Sequence, residues 1–239
     1  MVAILNRFSS SQEKIKPFDI LKVLSLIMLF SLLLSCNKAN HDEEKITDVD
    51  GNIYHTVVIG NQTWMLENLK TTKYNEGTEI PNVEENEEWE LTNSGAYCNY
   101  DNLESNGELY GRLYNWHAIN TGKLAPKGWR IATDSDWTIL TDYLGGLEVA
   151  GREIKEVGTI HWDSLNVATN SSGFTALPGG SRYFDGYFTV INRGAIWWTS
   201  TSENDSNAWY RSTMHHIIQI RRDIYDYRNG HSVRCIKEQ

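Results

Sequence analysis

The side chains able to carry covalent or metal chemistry are few in this chain of 239 residues: 3 Cys, 7 His, and 31 Asp and Glu. His215 and His216 invite a metal reading. Neighbours in a strand point to opposite faces, so one inward and one outward imidazole is expected. No His lies four residues from another, so the zinc-binding helix of a metalloprotease is not written here. Ser200, Asp226 and His231 form a nucleophilic trio only on paper, because no nucleophile-elbow context surrounds the serine. The run Asp48-Val-Asp50-Gly-Asn52 opens like a calcium loop, but its twelfth position, which must bring a bidentate carboxylate, is Ile59. Glu84, Glu85, Glu87, Glu88 and Glu90 surround Trp89. Such a cluster could hold a divalent cation, and the expected reading is a solvated helix face. These patterns lead us to expect no catalytic residue, no cofactor and no metal.

The remaining chemistry concerns export. Arg7, Lys14, Lys16 and Lys22 precede an apolar run at 23–34 that is interrupted only by Ser25 and Ser31. The run is shorter than the ~20 residues needed to span a bilayer, and it has the proportions of a signal peptide. It ends in Leu33-Leu34-Ser35-Cys36, which resembles the bacterial lipobox and implies a lipid on the Cys36 thiol after cleavage. The expected organisation is a signal peptide at 1–35, a polar tether at 36–46 and a body at 47–239. Asp42, Glu43 and Glu44 in the tether resemble the acidic export signals of Bacteroidetes lipoproteins, although they start later than usual. The expected address is therefore a lipid-anchored place in the bacterial cell envelope, at the outer membrane or its outer face. In an exported chain, the even pair Cys98 and Cys235 is expected as a disulfide contributing about 2–4 kcal/mol. Two buried free thiols are the alternative.

The elements that must position any site follow from composition and pattern. Lys and Arg number 22 against the 31 acids, and the first 36 residues carry 4 of the basic and 2 of the acidic side chains. The remainder holds 18 against 29, a balance that argues against nucleic acid as a partner. All 9 Trp and 12 Tyr lie beyond residue 36, an aromatic content that argues against wholesale disorder. Gly51-Asn52 and Gly60-Asn61 predict two tight turns and a small antiparallel meander. Thr133 as cap, Asp136 three residues later and Trp137, Leu140 and Leu144 on one face predict a helix over 134–144, ended by Gly145-Gly146. Residues 93–107 read as loop anchored by Tyr97, Cys98 and Tyr100. Residues 110–117 mix two periods and fit either a strand or a short helix. Short strands are expected at 195–199, 214–220 and 232–236. Most Trp lie in apolar blocks and are expected in the core. Trp89 and Trp162 sit among polar residues, and as exposed rings they would be the ligand-binding candidates, able to stack on a sugar or a peptide.

Several blocks then form a recognisable series. Ile59-Gly-Asn-Gln-Thr-Trp64-Met-Leu-Glu-Asn-Leu-Lys70, Gly95-Ala-Tyr-Cys98, Tyr110-Gly-Arg-Leu-Tyr-Asn-Trp116 and Pro126-Lys-Gly-Trp-Arg130 appear in order. Gly173-Phe-Thr-Ala-Leu-Pro-Gly-Gly180, Trp197-Trp-Thr-Ser-Thr201, Ala208-Trp-Tyr-Arg211 and Ser232-Val-Arg-Cys235 complete them. The series resembles the Fibrobacter succinogenes major paralogous domain family over 46–237. One departure is Ala132, where the family usually has Pro, and a looser turn is expected there. That family is similar in turn to formylglycine-generating enzymes and C-type-lectin-like domains. The resemblance implies a compact α+β fold with short irregular antiparallel strands, few helices and long loops. It settles no function, because function lives in a site and not in a fold. Two classes follow. One is a non-enzymatic lipoprotein that binds a glycan or a protein. The other is an enzyme built on the formylglycine-generating scaffold, whose reactive cysteine pair has no counterpart beside Cys235. The Glu-Pro-Asn, Gln-Pro-Asp and Trp-Asn-Asp sugar motifs of calcium-dependent lectins are absent.

Overall fold

A computed structural model describes residues 45–238; the expected signal peptide, Cys36 and nearly all of the tether lie outside them. The chain runs β1 (Ile46–Thr47), β2 (Ile53–Tyr54), β3 (Thr56–Ile59), β4 (Gln62–Met65), α1 (Asn86–Leu91), β5 (Tyr97–Cys98), a 3-10 turn (Tyr100–Asn102) and α2 (Glu104–Tyr110). It continues with β6 (Leu113–Tyr114), α3 (Trp116–Asn120), β7 (Trp129–Ile131), α4 (Asp134–Tyr143), α5 (Leu147–Ile154), β8 (Ser181–Arg182), β9 (Phe188–Thr189), β10 (Gly194–Ser202), β11 (Asn207–Met214), β12 (Arg221–Asp226) and β13 (Cys235–Lys237). Every ladder between these strands is antiparallel, so the fold is α+β as expected. A four-stranded sheet in the order β3-β4-β13-β7 ties an early hairpin to the last strand. A three-stranded sheet, β10-β11-β12, forms a meander, and β1-β2, β5-β6 and β8-β9 are small ladders.

Both early turns form, with Gly51 at φ 88° and Gly60 at φ 61°, values that cost glycine little. They close two separate hairpins in place of the expected meander, because β2 and β3 part at His55 and join different sheets. Ile46 is buried and pairs with Tyr54, so the body starts at least one residue before 47. The calcium-like run is used within the chain. The Asp48 carboxylate accepts from the backbone N–H groups of Asp50 and Asn52, from Asn52 Nδ2, and from Tyr54 Oη at 2.6 Å. The Asp50 carboxylate accepts from Thr72 N and from the hydroxyls of Thr71 and Thr72.

Helix α4 follows its local signals. Thr133 Oγ1 accepts from Asp136 N at 3.1 Å, and the Asp136 carboxylate accepts from Thr133 N at 2.7 Å, which completes the capping box. Arg130 forks onto the same carboxylate at 2.5 and 2.9 Å and draws it closer to the cap. Thr133→Ala is expected to cost about 1 kcal/mol, read as a lower urea midpoint with an unchanged slope. An unmoved midpoint would mean that Arg130 alone holds this helix start. Ala132 is buried and donates its N–H to Arg234 O at 3.3 Å, a bond that proline could not make.

Elsewhere the structure departs from the pattern. Residues 110–117 hold both expected alternatives in turn, β6 and then the start of α3. The stretch read as loop contains the start of α2, whose Gly107 leaves room for Asn99 and Arg112: a Cβ there would lie 2.0 Å from Asn99 Oδ1. Met214 ends β11, and 215–216 form a turn, so no strand covers 214–220. Of 232–236 only the last two residues belong to β13, while Ser232 bridges to Trp197 and occupies the outer edge of β10.

The disulfide expectation is corrected. Cys98 and Cys235 are both free and buried. Cys98 lies in β5 against Val83, Trp89 and Leu113, whereas Cys235 lies in β13 across from Ile131, in a different core cluster. Two thiols held in separate sheets and separate clusters do not meet the short Cα separation that a disulfide requires. Alkylation without reductant is expected to label both thiols in denaturant and neither in the folded protein.

Candidate functional site

The alternation of β11 decides which side chains face a cavity on the three-stranded sheet. Tyr210, Ser212 and Met214 point to one face of the three-stranded sheet, with Trp209, Arg211 and Thr213 on the other. The register adds Ile196 from β10 and Arg221 from β12, each opposite Ser212, and Tyr225 opposite Ala208. The β8–β9 hairpin and the residue after it cover this face with Ser181, Tyr183, Thr189 and Val190. The turn after β11 closes one end with His216 and Ile217. The enclosed space is about 310 Å³.

Its walls are rigid for identifiable reasons. Tyr210 and Tyr225 stack with centroids 4.6 Å apart and planes at 17°, and Tyr183 meets Tyr225 edge-on. Lys155 is fully buried and donates through Nζ to Met214 O, His215 O and Ile217 O at 2.9, 3.1 and 2.7 Å, which pins the end turn. Burial pushes its pKa down to about 8, and the three carbonyl dipoles pull the other way. On the opposite side, Arg182 points away from the cavity and fastens the hairpin to the segment before α1 through Val83 O and Glu84 O.

Behind the cavity lies His231, wholly buried, with its ring 4.4 Å from that of Trp198 and packed against Tyr210 and Tyr225. Its Nδ1 is 2.9 Å from Ser181 Oγ, which also donates to Gly230 O at 3.2 Å, and its Nε2 has no partner. Burial pushes the imidazole down to about 3, so it stays neutral and is a poor proton acceptor. The pair resembles a nucleophile and its base in composition only. Burial also pushes the Cys98 thiol up to about 12 and the Cys235 thiol higher still. Neither thiol is therefore prepared for attack. Tyr225 is held up to about 12 by burial and then by its neighbours Tyr210 and Tyr183, so it enters contacts as a neutral phenol.

The residues singled out by sequence fall elsewhere. Trp89 and Trp162 are each 1% exposed, so neither can stack on an incoming ring, and both are withdrawn as ligand contacts. Trp89 is turned inward from α1 and lies under the Arg182 guanidinium at 4.6 Å, while the neighbouring carboxylates face solvent. Trp162 donates Nε1 to Ala176 O at 3.0 Å. His215 and His216 do not divide between two strand faces. They lie in a turn, with their rings in edge-on contact at 4.7 Å. Ser200 donates to Ile131 O, Asp226 pairs with Arg228 and His231 pairs with Ser181, so the paper trio is dispersed. Among the described residues, no three His, Cys, Asp or Glu side chains converge as metal ligands would.

Sequence reasoning missed Ser181, Tyr183, Tyr210, Arg221 and Tyr225. The one available signal was the alternation of Tyr210, Ser212 and Met214. It identifies a common face and does not say which face is hollow.

The Fibrobacter succinogenes major domain model matches residues 57–237, which span every element of the cavity. Comparison with curated proteins and with solved structures finds no match.

Proposed function

Because the chain belongs to the Fibrobacter succinogenes major domain family, we propose that its body is a binding domain, and that a lipid on Cys36 holds it to the bacterial cell envelope. The ligand is a glycan or a protein segment that the body holds without transforming it. The observation that carries this reading is the cavity between the β8–β9 hairpin and the three-stranded sheet. It has aromatic and apolar walls with a few convergent polar groups, the ordinary make-up of a ligand site. Its shape is set by paired strands, by Lys155 and by Arg182, so little ordering remains to be done when a ligand arrives. The same geometry weighs against the enzyme reading. The hydroxyl in the wall faces an imidazole too weak to take its proton, and both described thiols are buried with their ionisation suppressed.

The test uses the full chain purified in mild detergent and presented with glycan and peptide libraries. A ligand retained and recovered with unchanged mass is expected. A ligand recovered cleaved or modified would overturn the binding reading. Palmitate label is expected in the wild type and absent from Cys36→Ala, and label that survives the substitution would remove the anchor.

A further inference from the structure

The arginines supply the observation that narrows the ligand. Among the described residues, Arg112, Arg130, Arg152, Arg193, Arg211, Arg222 and Arg228 each pair with a carboxylate. Arg182 and Arg234 are buried, and their donors go mainly to backbone carbonyls and asparagine oxygens. Arg221 is exposed, forms no ion pair with a described carboxylate, and lines the cavity. No Asp or Glu lines the cavity with it, in a chain whose formal net charge is −9. Asp223 shares that face of β12, opposite Tyr210 in the register, and the Tyr210 hydroxyl is hydrogen-bonded to Arg221.

Ser181 narrows it further. A neutral imidazole carries one ring proton. If that proton sits on Nε2, a buried donor is left with no acceptor among the aromatic rings. If it sits on Nδ1, it is donated to Ser181 Oγ, and the serine proton goes to Gly230 O. The second arrangement gives the one ring proton an acceptor and strands an acceptor rather than a donor, so it costs less. Ser181 is itself only 1% exposed, at the base of the cavity it lines, and its Oγ then has one lone pair left for a ligand hydroxyl that reaches that base. From Tyr183 in the cavity wall, the exposed Phe184 and the 66%-exposed Tyr187 follow along the hairpin.

We infer that the cavity receives a uronic acid residue of an acidic oligosaccharide, with its carboxylate on Arg221, a ring hydroxyl donating to Ser181 Oγ, its apolar ring face against Tyr225 and Tyr183, and the adjoining sugars on the hairpin's aromatic rim. The space lies at the small end of the range for ligand sites, about 300–1,000 Å³, and suits one ring rather than a folded peptide. Guanidinium and carboxylate match as a two-pronged pair, a geometry that a neutral sugar does not offer.

This inference rests on the binding reading above, and the experiment separates their failures. Full-length protein in detergent is titrated calorimetrically with a galacturonate trisaccharide, its methyl ester and a poly-glutamate peptide. The acid is expected to bind, and esterification and Arg221→Gln are each expected to weaken it about ten- to hundredfold, the range for losing one charged hydrogen-bonded contact. Ser181→Ala is expected to weaken the acid and the ester alike. Arg221 is exposed, and an unchanged melting curve will show that its variant folds. Equal affinity for acid and ester, an unaffected Arg221→Gln, or binding of poly-glutamate in place of the sugar would each overturn the uronate assignment and leave the binding reading standing. Cleavage of the trisaccharide would overturn the binding reading itself.

Discussion

Arg182→Met is expected to destabilise the protein by about 3–5 kcal/mol, the range for disrupting a buried, fully hydrogen-bonded charge. The guanidinium is wholly buried, and among the described residues its hydrogen bonds go to backbone carbonyls and one asparagine oxygen. Its Nε donates to Gly186 O at 2.8 Å, Nη1 to Val83 O at 2.6 Å, and Nη2 to Glu84 O at 2.7 Å and Asn86 Oδ1 at 3.1 Å. It is also sandwiched against Trp89 at 4.6 Å and Phe188 at 4.8 Å. Methionine keeps much of the stem volume and leaves the Gly186 and Val83 carbonyls without a donor, while Glu84 O keeps the one from Asn102 Nδ2. Lysine restores the charge but not the fork. One ammonium cannot reach acceptors spread around the edge of the guanidinium plane, so Arg182→Lys is expected to recover less than half of the loss. The measurement is urea unfolding with the slope compared across the three proteins. A methionine variant within 1 kcal/mol of wild type would mean that water or side-chain movement satisfies those carbonyls.

This residue shows why part of the molecule was legible and part was not. Helix α4 could be read because its signals are local: Thr133 and Asp136 are three residues apart and bond to each other. Gly51 and Gly60 announced their turns for the same reason. Arg182 bonds to groups nearly a hundred residues away in sequence, and nothing in its neighbourhood distinguishes it from a surface arginine. Trp89 was misread for a related cause. Five nearby carboxylates describe the solvent face of α1 and say nothing of the ring on its inner face, where Arg182 waits. An even cysteine count states only that a pair is possible. Whether Cys98 and Cys235 meet depends on which sheet each strand joins, and they join different ones. The cavity has the same character. Its walls come from β8 to β12, and hollowness is a property of how two layers are spaced. Ser181 and Arg221 acquire meaning only once the hairpin is seen lying across the sheet.

Trp137 allows burial and hydrogen bonding to be separated at one site. Its ring is wholly buried and packed against Trp64 at 5.1 Å, Trp197 at 5.2 Å and Phe174 at 5.6 Å. Its Nε1 finds no acceptor. Trp137→Ala empties a large volume among rigid neighbours and is expected to cost about 3–5 kcal/mol. For a body of this size the melting temperature should fall by about 10 °C. Trp137→Phe removes the stranded N–H, which relieves a penalty of about 1–3 kcal/mol. It also leaves a smaller void that costs in the opposite direction. The two terms nearly cancel, so the phenylalanine variant is expected to melt within a few degrees of wild type and far above the alanine variant. Equal losses in both variants would mean that the indole nitrogen is satisfied, most simply by an interior water, and that the N–H contributes to stability. Unchanged melting in the alanine variant would mean that the ring is not in the core at all. The aromatic cluster of Trp64, Trp137, Phe174 and Trp197 would then no longer account for how α4 is held against β10.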